Sequence, residues 1–143
     1  MNKSIKQIIN SIESFATAHK NIAQFTANPI ERNTAKAWLY PLFFLSINNA
    51  TIENGQVRIN ITCYFLEYVG DEKDYVKKLS ETLKLAEDFN TYFNKNEQDF
   101  GFYMEDSATA EAVVLDFDDR VFGWKVPYVI QTKSSQNENL IPL

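Results

Sequence analysis

Asp116-Phe117-Asp118-Asp119-Arg120-Val121-Phe122-Gly123-Trp124-Lys125-Val126-Pro127-Tyr128-Val129-Ile130-Gln131-Thr132 is the stretch on which the reading of this chain turns. It opens with clustered Asp, which hydrogen-bonds its own backbone in turns. One glycine follows, then a partly alternating apolar run and a polar end. The pattern predicts a turn feeding a long, late strand. Pro127 cannot donate to a ladder, so the strand is expected at a sheet edge or beside a bulge.

The clearest strand lies upstream, over residues 56–69. Val57, Ile59, Ile61, Cys63 and Phe65 alternate with Gln56, Arg58, Asn60, Thr62 and Tyr64, so one face is buried and one is wet. Residues 38–47 form a second, aromatic run containing Pro41, also expected as a strand with an irregular entry. Asn48-Asn49 and Asn54-Gly55 read as the ends of a short link between the two.

Two helices are expected. Ile5, Ile8, Ile9, Ile12, Phe15 and Ala16 recur at helical spacing and predict an amphipathic helix over about residues 3–20, with Ile22 as a further candidate on the stripe. Asp71, Glu72 and Asp74 suit a helix N-terminus, and Tyr75, Val76, Leu79, Leu83, Ala86, Phe89 and Phe93 carry that helix over about residues 71–93. Phe100, Phe102 and Met104 suggest a short strand, and residues 112–117 another.

The resulting order is helix, two strands, helix, two or three strands. Short links favour antiparallel pairing, so the expected fold is α+β: a small antiparallel sheet with helices packed on one face. The 143 residues predict a single domain, its core over about residues 3–132 and a polar C-terminal tail over 133–143.

Composition limits the function classes. Net charge is −5, which argues against a grip on nucleic acid through phosphate neutralisation. The charge is uneven. Residues 1–36 hold five Lys or Arg against two acids, and residues 71–106 hold five Lys against ten acids. Head-to-tail docking of opposite ends and two separately solvated helices both fit that bias. Aromatic residues make up 14%, enough for a ring-rich core or interface. One Cys allows no internal disulfide and suits a reducing compartment. No cleavable-signal pattern and no long apolar run predict neither secretion nor a membrane span.

Chemistry-bearing residues are few. Cys63 falls on the apolar strand face and His19 near a helix end, so a nucleophile–base pair is disfavoured. One His and one Cys fall short of the four ligands a zinc site commonly uses. Asp116, Asp118 and Asp119 could hold a hard cation, but turn formation with local pairing to Arg120 is preferred. No cofactor is expected. Trp38 and Trp124 each begin an apolar run, as interface anchors or as core filling.

Residues 117–124, followed by a strand, a late Asn-x-Asn and Ile141-Pro142, resemble tail-associated virion proteins of crAss-like tailed phages and related prophages of Bacteroidetes. Tyr40-Pro41-Leu42, the alternating strand with Tyr64 and Glu67, and the acidic helix start extend the resemblance over residues 38–143. The family often has Cys before its Ile-Pro pair, where this chain has Leu140. The resemblance implies a tail terminator-like or head-to-tail connector subunit, without catalytic residues. It would form a homo-oligomeric ring in the virion neck or tail, made in the host bacterial cytoplasm. Its partners would be neighbouring portal, connector or tail proteins, with DNA passing an acidic lumen without specific binding. Trp38, Asp118, Asp119, Arg120 and Trp124 become the candidate interface residues. The alternatives are a cytosolic peptide- or small-ligand-binding domain of a bacterium and, further off, an enzyme using Cys63 with His19 or the Asp cluster.

Overall fold

The alternation of residues 56–68 produces the strand around which the molecule is built. In the computed structural model, which describes residues 4–27, 38–68, 74–95, 101–105, 107–116 and 120–133, the elements run in this order. They are α1 (Ile5–Ala18), β1 (Gln24–Thr26), β2 (Leu42–Glu53), β3 (Gln56–Tyr68), α2 (Tyr75–Lys95), β4 (Tyr103–Met104), β5 (Glu111–Asp116) and β6 (Arg120–Lys133). The strands make one sheet in the order β1-β2-β3-β6-β4, with β5 also beside β6. The fold is mixed α+β, as the sequence leads one to expect. The element order differs from the expected one: three strands precede α2 and three follow it. The sheet is also not wholly antiparallel, because β1 runs parallel to β2.

Local chemistry sets the boundaries. Ser4 caps α1: its hydroxyl accepts from the Gln7 N–H, while the Gln7 side chain accepts from the Ser4 N–H. The helix stops after Ala18, where His19 takes an extended backbone conformation. Residues 22–26 then leave the helix altogether. Ile22 is buried, and Phe25 meets Phe43 edge-on at 5.1 Å. The short β1 has too little periodicity to be seen in the sequence.

β2 and β3 form a hairpin turning at Asn54-Gly55, with Gly55 at φ 75 as such a turn requires. β2 is longer than its apolar run suggests. Asn48 and Asn49 do not end it; the strand passes a β-bulge there and continues to Glu53. The Asn pair is a turn signal that pairing with β3 overrides: Asn49 lies opposite Asn60, and the Asn60 amide donates to the Asn49 side chain at 2.6 Å.

β6 is an inner strand rather than an edge strand, pairing with β3 from Gln56↔Lys133 to Tyr68↔Val121. Pro127 is accommodated on its other side. The Glu105 N–H donates to the Val129 carbonyl, so the backbone groups of alternate residues, Pro127 among them, face β4 and β5. Opposite Pro127 that edge is interrupted. From Met104 to Glu111 the chain advances seven residues, while the paired stretch of β6 from Ile130 to Lys125 covers only five. β4 and β5 are thus two pieces of one broken edge strand, and the bulge expected at Pro127 sits in its partner.

Both helices cover one face of the sheet. Ile8, Ile12, Phe15, Leu85, Ala86, Phe89 and Phe93 pack on Phe43, Leu45, Ile59, Ile61, Cys63, Phe65, Val126, Tyr128 and Ile130. Phe89 is the hub, with ring contacts to Phe15, Phe43, Phe65, Phe93 and Tyr128. Each such buried ring stabilises the fold by roughly 1.5–3 kcal/mol. The opposite face carries a smaller cluster, Leu42, Leu66 and Val121 with Trp38, Tyr40, Phe44, Tyr64, Val113 and Leu115 around it.

Gly123 has a steric task in this sheet. A Cβ there would sit 1.9 Å from the Phe65 carbonyl oxygen of β3. At Gly55 a Cβ would meet nothing within 4 Å and would suffer only the positive φ. Gly123→Ala is therefore expected to lose about 3 kcal/mol or more, and Gly55→Ala about 1 kcal/mol. Urea denaturation of the two variants checks the ranking.

Candidate functional site

Cys63 and His19 are both engaged within the fold. Cys63 points into the helix-covered face at 0% exposure, and burial pushes its thiol well above the usual range. His19 leaves α1 toward α2. Its Nε2 lies 2.9 Å from Asp88 Oδ2, and its Nδ1 accepts the Asn21 N–H at 3.1 Å. With Nδ1 accepting, Nε2 is the nitrogen that faces the Asp88 carboxylate as donor. Neither ring nitrogen keeps a free lone pair for a substrate. What the arrangement does is tie the end of one helix to the other.

The three candidate interface residues among those described, Trp38, Arg120 and Trp124, are dispersed. Trp124 stands on the helix-covered face, half-buried, and its indole N–H donates to the Leu79 carbonyl of α2 at 2.8 Å. It bridges strand and helix, an intramolecular role. Trp38 lies on the other face, packed against the smaller cluster, with a buried indole N–H that has no acceptor among the described residues. Arg120 is exposed at the start of β6, in register with Asp116 of β5. Asp118 and Asp119, and the turn expected around them, lie outside the described residues. Among the described residues, no three His, Cys, Asp or Glu side chains gather where they could hold a metal ion. No described helix is long and apolar enough to cross a membrane.

Two clefts flank the break between β4 and β5. One, of about 510 Å³, lies toward α2, with Asn90, Thr91, Ser107, Val126 and Tyr128 among its walls. The other, of about 360 Å³, includes Asn48, Asn60, Glu105, Ser107, Ala108 and Tyr128. A third, of about 590 Å³, lies between the end of α1 and α2, near Glu67, Glu81, Lys84 and Asp88. Arg58 and Glu105 pair at 3.3 Å between β3 and the β4–β5 link, both well exposed, so the pair adds little stability.

The more distinctive surface is the far half of the β2–β3 hairpin. Both helices stop short of it. Ile47 and Ile52, on the helix-facing side of β2, are 42% and 82% exposed. β1 covers only Leu42 to Phe44 of the outer side of β2, so among the described residues no strand pairs that side from Leu45 to Glu53. At the other end of the sheet, β5 has β6 on one side and, among the described residues, no strand on the other, with Val114 50% exposed. The sequence held one signal for the first of these. Ala50 and Ile52 alternate with Asn49, Thr51 and Glu53, a period of two that the Asn-rich composition masks.

Among the described residues, the class this defines is a two-helix, six-stranded α+β domain with its Cys buried and its outer sheet edges open. No protein-family model matches the chain, and no curated protein is significantly similar to it.

The sealed groups set a pH limit. Burial raises both Cys63 and Tyr128, so the folded state holds their protons more tightly than the unfolded state. Their contribution is complete below the unfolded values and is lost as pH rises past them. Stability is expected to be flat in this respect to about pH 8.5, then to fall by up to about 1.4 kcal/mol per pH unit for the thiol, with the phenol joining above about pH 10. Urea titrations of wild type and Cys63→Ala across that range test this, the variant holding flat to about pH 10. Native Cys63 is expected not to react with a thiol reagent until the protein unfolds.

Proposed function

We propose that this chain is a non-enzymatic structural subunit that assembles with copies of itself, as a ring at the head-to-tail connector or tail terminator position of a tailed phage. The observation that carries the self-assembly is the overhanging hairpin, which exposes Ile47 and Ile52 beside a strand edge that has no partner among the described residues. Exposed apolar side chains on an open edge favour partners, and a monomer gains nothing from them. The burial of Cys63 and the engagement of both His19 nitrogens support a role without covalent chemistry. The place in a virion rests on the resemblance of residues 117–124 and of the stretch around them. Net charge of −5 suits a wall along which DNA passes without sticking.

Native mass spectrometry and electron microscopy over a range of concentrations test the proposal. Closed rings of uniform subunit number are expected. A monomer at every concentration, with no affinity for purified portal or tail components, overturns it.

One observation favours a second reading, a small-ligand-binding domain. The 510 Å³ cleft is floored by Tyr128, 4% exposed, whose buried phenol stays neutral. On that reading, fragments that shift the amide resonances of Asn90, Ser107 and Tyr128 should compete with one another, and Tyr128→Phe should weaken them. Fragments that leave those resonances unmoved count against it.

A further inference from the structure

We infer that successive copies join head to tail by strand addition, the free edge of β2 in one copy pairing antiparallel with β5 of the next. This rests on the self-association proposed above and names its contact.

Strand direction carries the argument. β2 and β3 are antiparallel, as are β3 and β6, and β6 and β5. Among the described strands, the path from one edge to the other, β2-β3-β6-β5, holds four strands joined by three antiparallel steps, and four is even. β5 therefore runs opposite to β2. A second copy, laid alongside with the same face toward its helices, presents its β2 antiparallel to the first copy's β5. The alternation continues through the junction and through every later one. An odd number of strands would have made each junction parallel. Either edge alone could accept any extended peptide; two edges of matched direction at opposite ends of one sheet select another copy of the same chain.

The backbone groups point the right way. A two-residue turn makes Glu53 and Gln56 a hydrogen-bonded pair, and the pairs alternate from there. Asn49 and Thr51 thus face β3, while the N–H and C=O of Ala50 and Ile52 face outward. On β6 the set that includes Val129 faces the broken strand, so Lys125, Gly123 and Val121 bond with Glu111, Val113 and Leu115. That leaves Ala112 and Val114 facing outward. The side chains of Ala50, Ile52, Ala112 and Val114 all fall on the helix-bearing side of the sheet. A junction would bring them together as cross-strand neighbours and cover the exposed area of Ile52 and Val114.

Neither edge carries the basic side chains or proline that often block strand addition. Residues 45–53 and 111–115 contain no Lys, Arg or Pro. The one irregularity is the bulge between Ile47 and Asn49, which leaves Asn49 to Glu53 as the regular stretch to receive β5. β5 lies level with β1 across the sheet, while the free part of β2 lies toward the hairpin tip. Each copy must then be displaced along the strands relative to the last. A closed ring of strands requires such a stagger.

The test combines two cysteine substitutions with a short bis-maleimide, Cys63 being buried in the native protein. The double variant Ile52→Cys, Val114→Cys is expected to give a ladder of covalent multimers on a denaturing gel, and each single variant only monomer. Covalent dimers from Ile52→Cys alone would mean two β2 edges pair with each other, which overturns the head-to-tail contact. Ala50→Pro removes only an outward N–H and should lower association at least tenfold while leaving the thermal transition near wild type. Ala50→Pro rings as abundant as wild type, or no ladder from a double variant that still forms rings, would overturn strand addition and leave the ring standing. A wild-type protein that stays monomeric throughout overturns both.

Discussion

β3 is the strand that cannot be moved. It is hydrogen-bonded along both sides, to β2 and to β6, so a shift of one residue would break two ladders at once. It would also exchange Ile59, Ile61, Cys63 and Phe65 for Arg58, Asn60, Thr62 and Tyr64 under the helices. Burying that second set without partners would cost several kcal/mol per group on the scale of unsatisfied polar burial. The register of β3 therefore fixes the sheet, and the sheet fixes which halves of α1 and α2 turn inward. Phe89 and Phe15 then close the aromatic layer above it.

The same economy explains what happened to the residues with functional potential. Trp124 is large enough to anchor an interface, but its indole N–H is engaged by the Leu79 carbonyl of α2. That carbonyl already accepts from the buried Thr82 hydroxyl, and the indole reaches it at 2.8 Å. His19 is well placed for proton transfer only if one nitrogen is free, and Asp88 of α2 and the Asn21 N–H engage both. Neither use has a local sequence signature, because each depends on an element dozens of residues away. Tertiary contact decided the role of these side chains, and residue type did not.

Where a periodic face was long, the sequence was readable. The alternation of residues 56–68 and the stripes of the two helices correspond to β3, α1 and α2 within a few residues. It became unreadable where a strand was short or amide-rich. β1 has three residues and owes its existence to Phe25 packing on Phe43. The far half of β2 is held by the Asn48, Asn49, Asn60 and Thr62 side chains, which bond to one another across the hairpin. Those amides read as a loop because in isolation they would make one. Pro127 misled in the opposite sense: it does mark a missing hydrogen bond, but the partner strand is what gives way.

That break bears on how the sheet's edges can be used. Opposite residues 126–129 the outer strand is interrupted and the link is tied back through Glu105, so this part of the edge offers no continuous row of donors and acceptors. The β5 segment is regular, and so is β2 beyond its bulge. An isolated soluble domain gains by guarding such stretches with lysine or proline, since a bare edge recruits strands without discrimination. Here Pro127 and the bulge shorten the edges and leave two regular segments, of five and six residues, at opposite ends of one sheet. Shortening restricts pairing to a partner whose own edge has the matching length and direction. That is a constraint a second copy of the chain meets by construction, and a random strand meets only by chance.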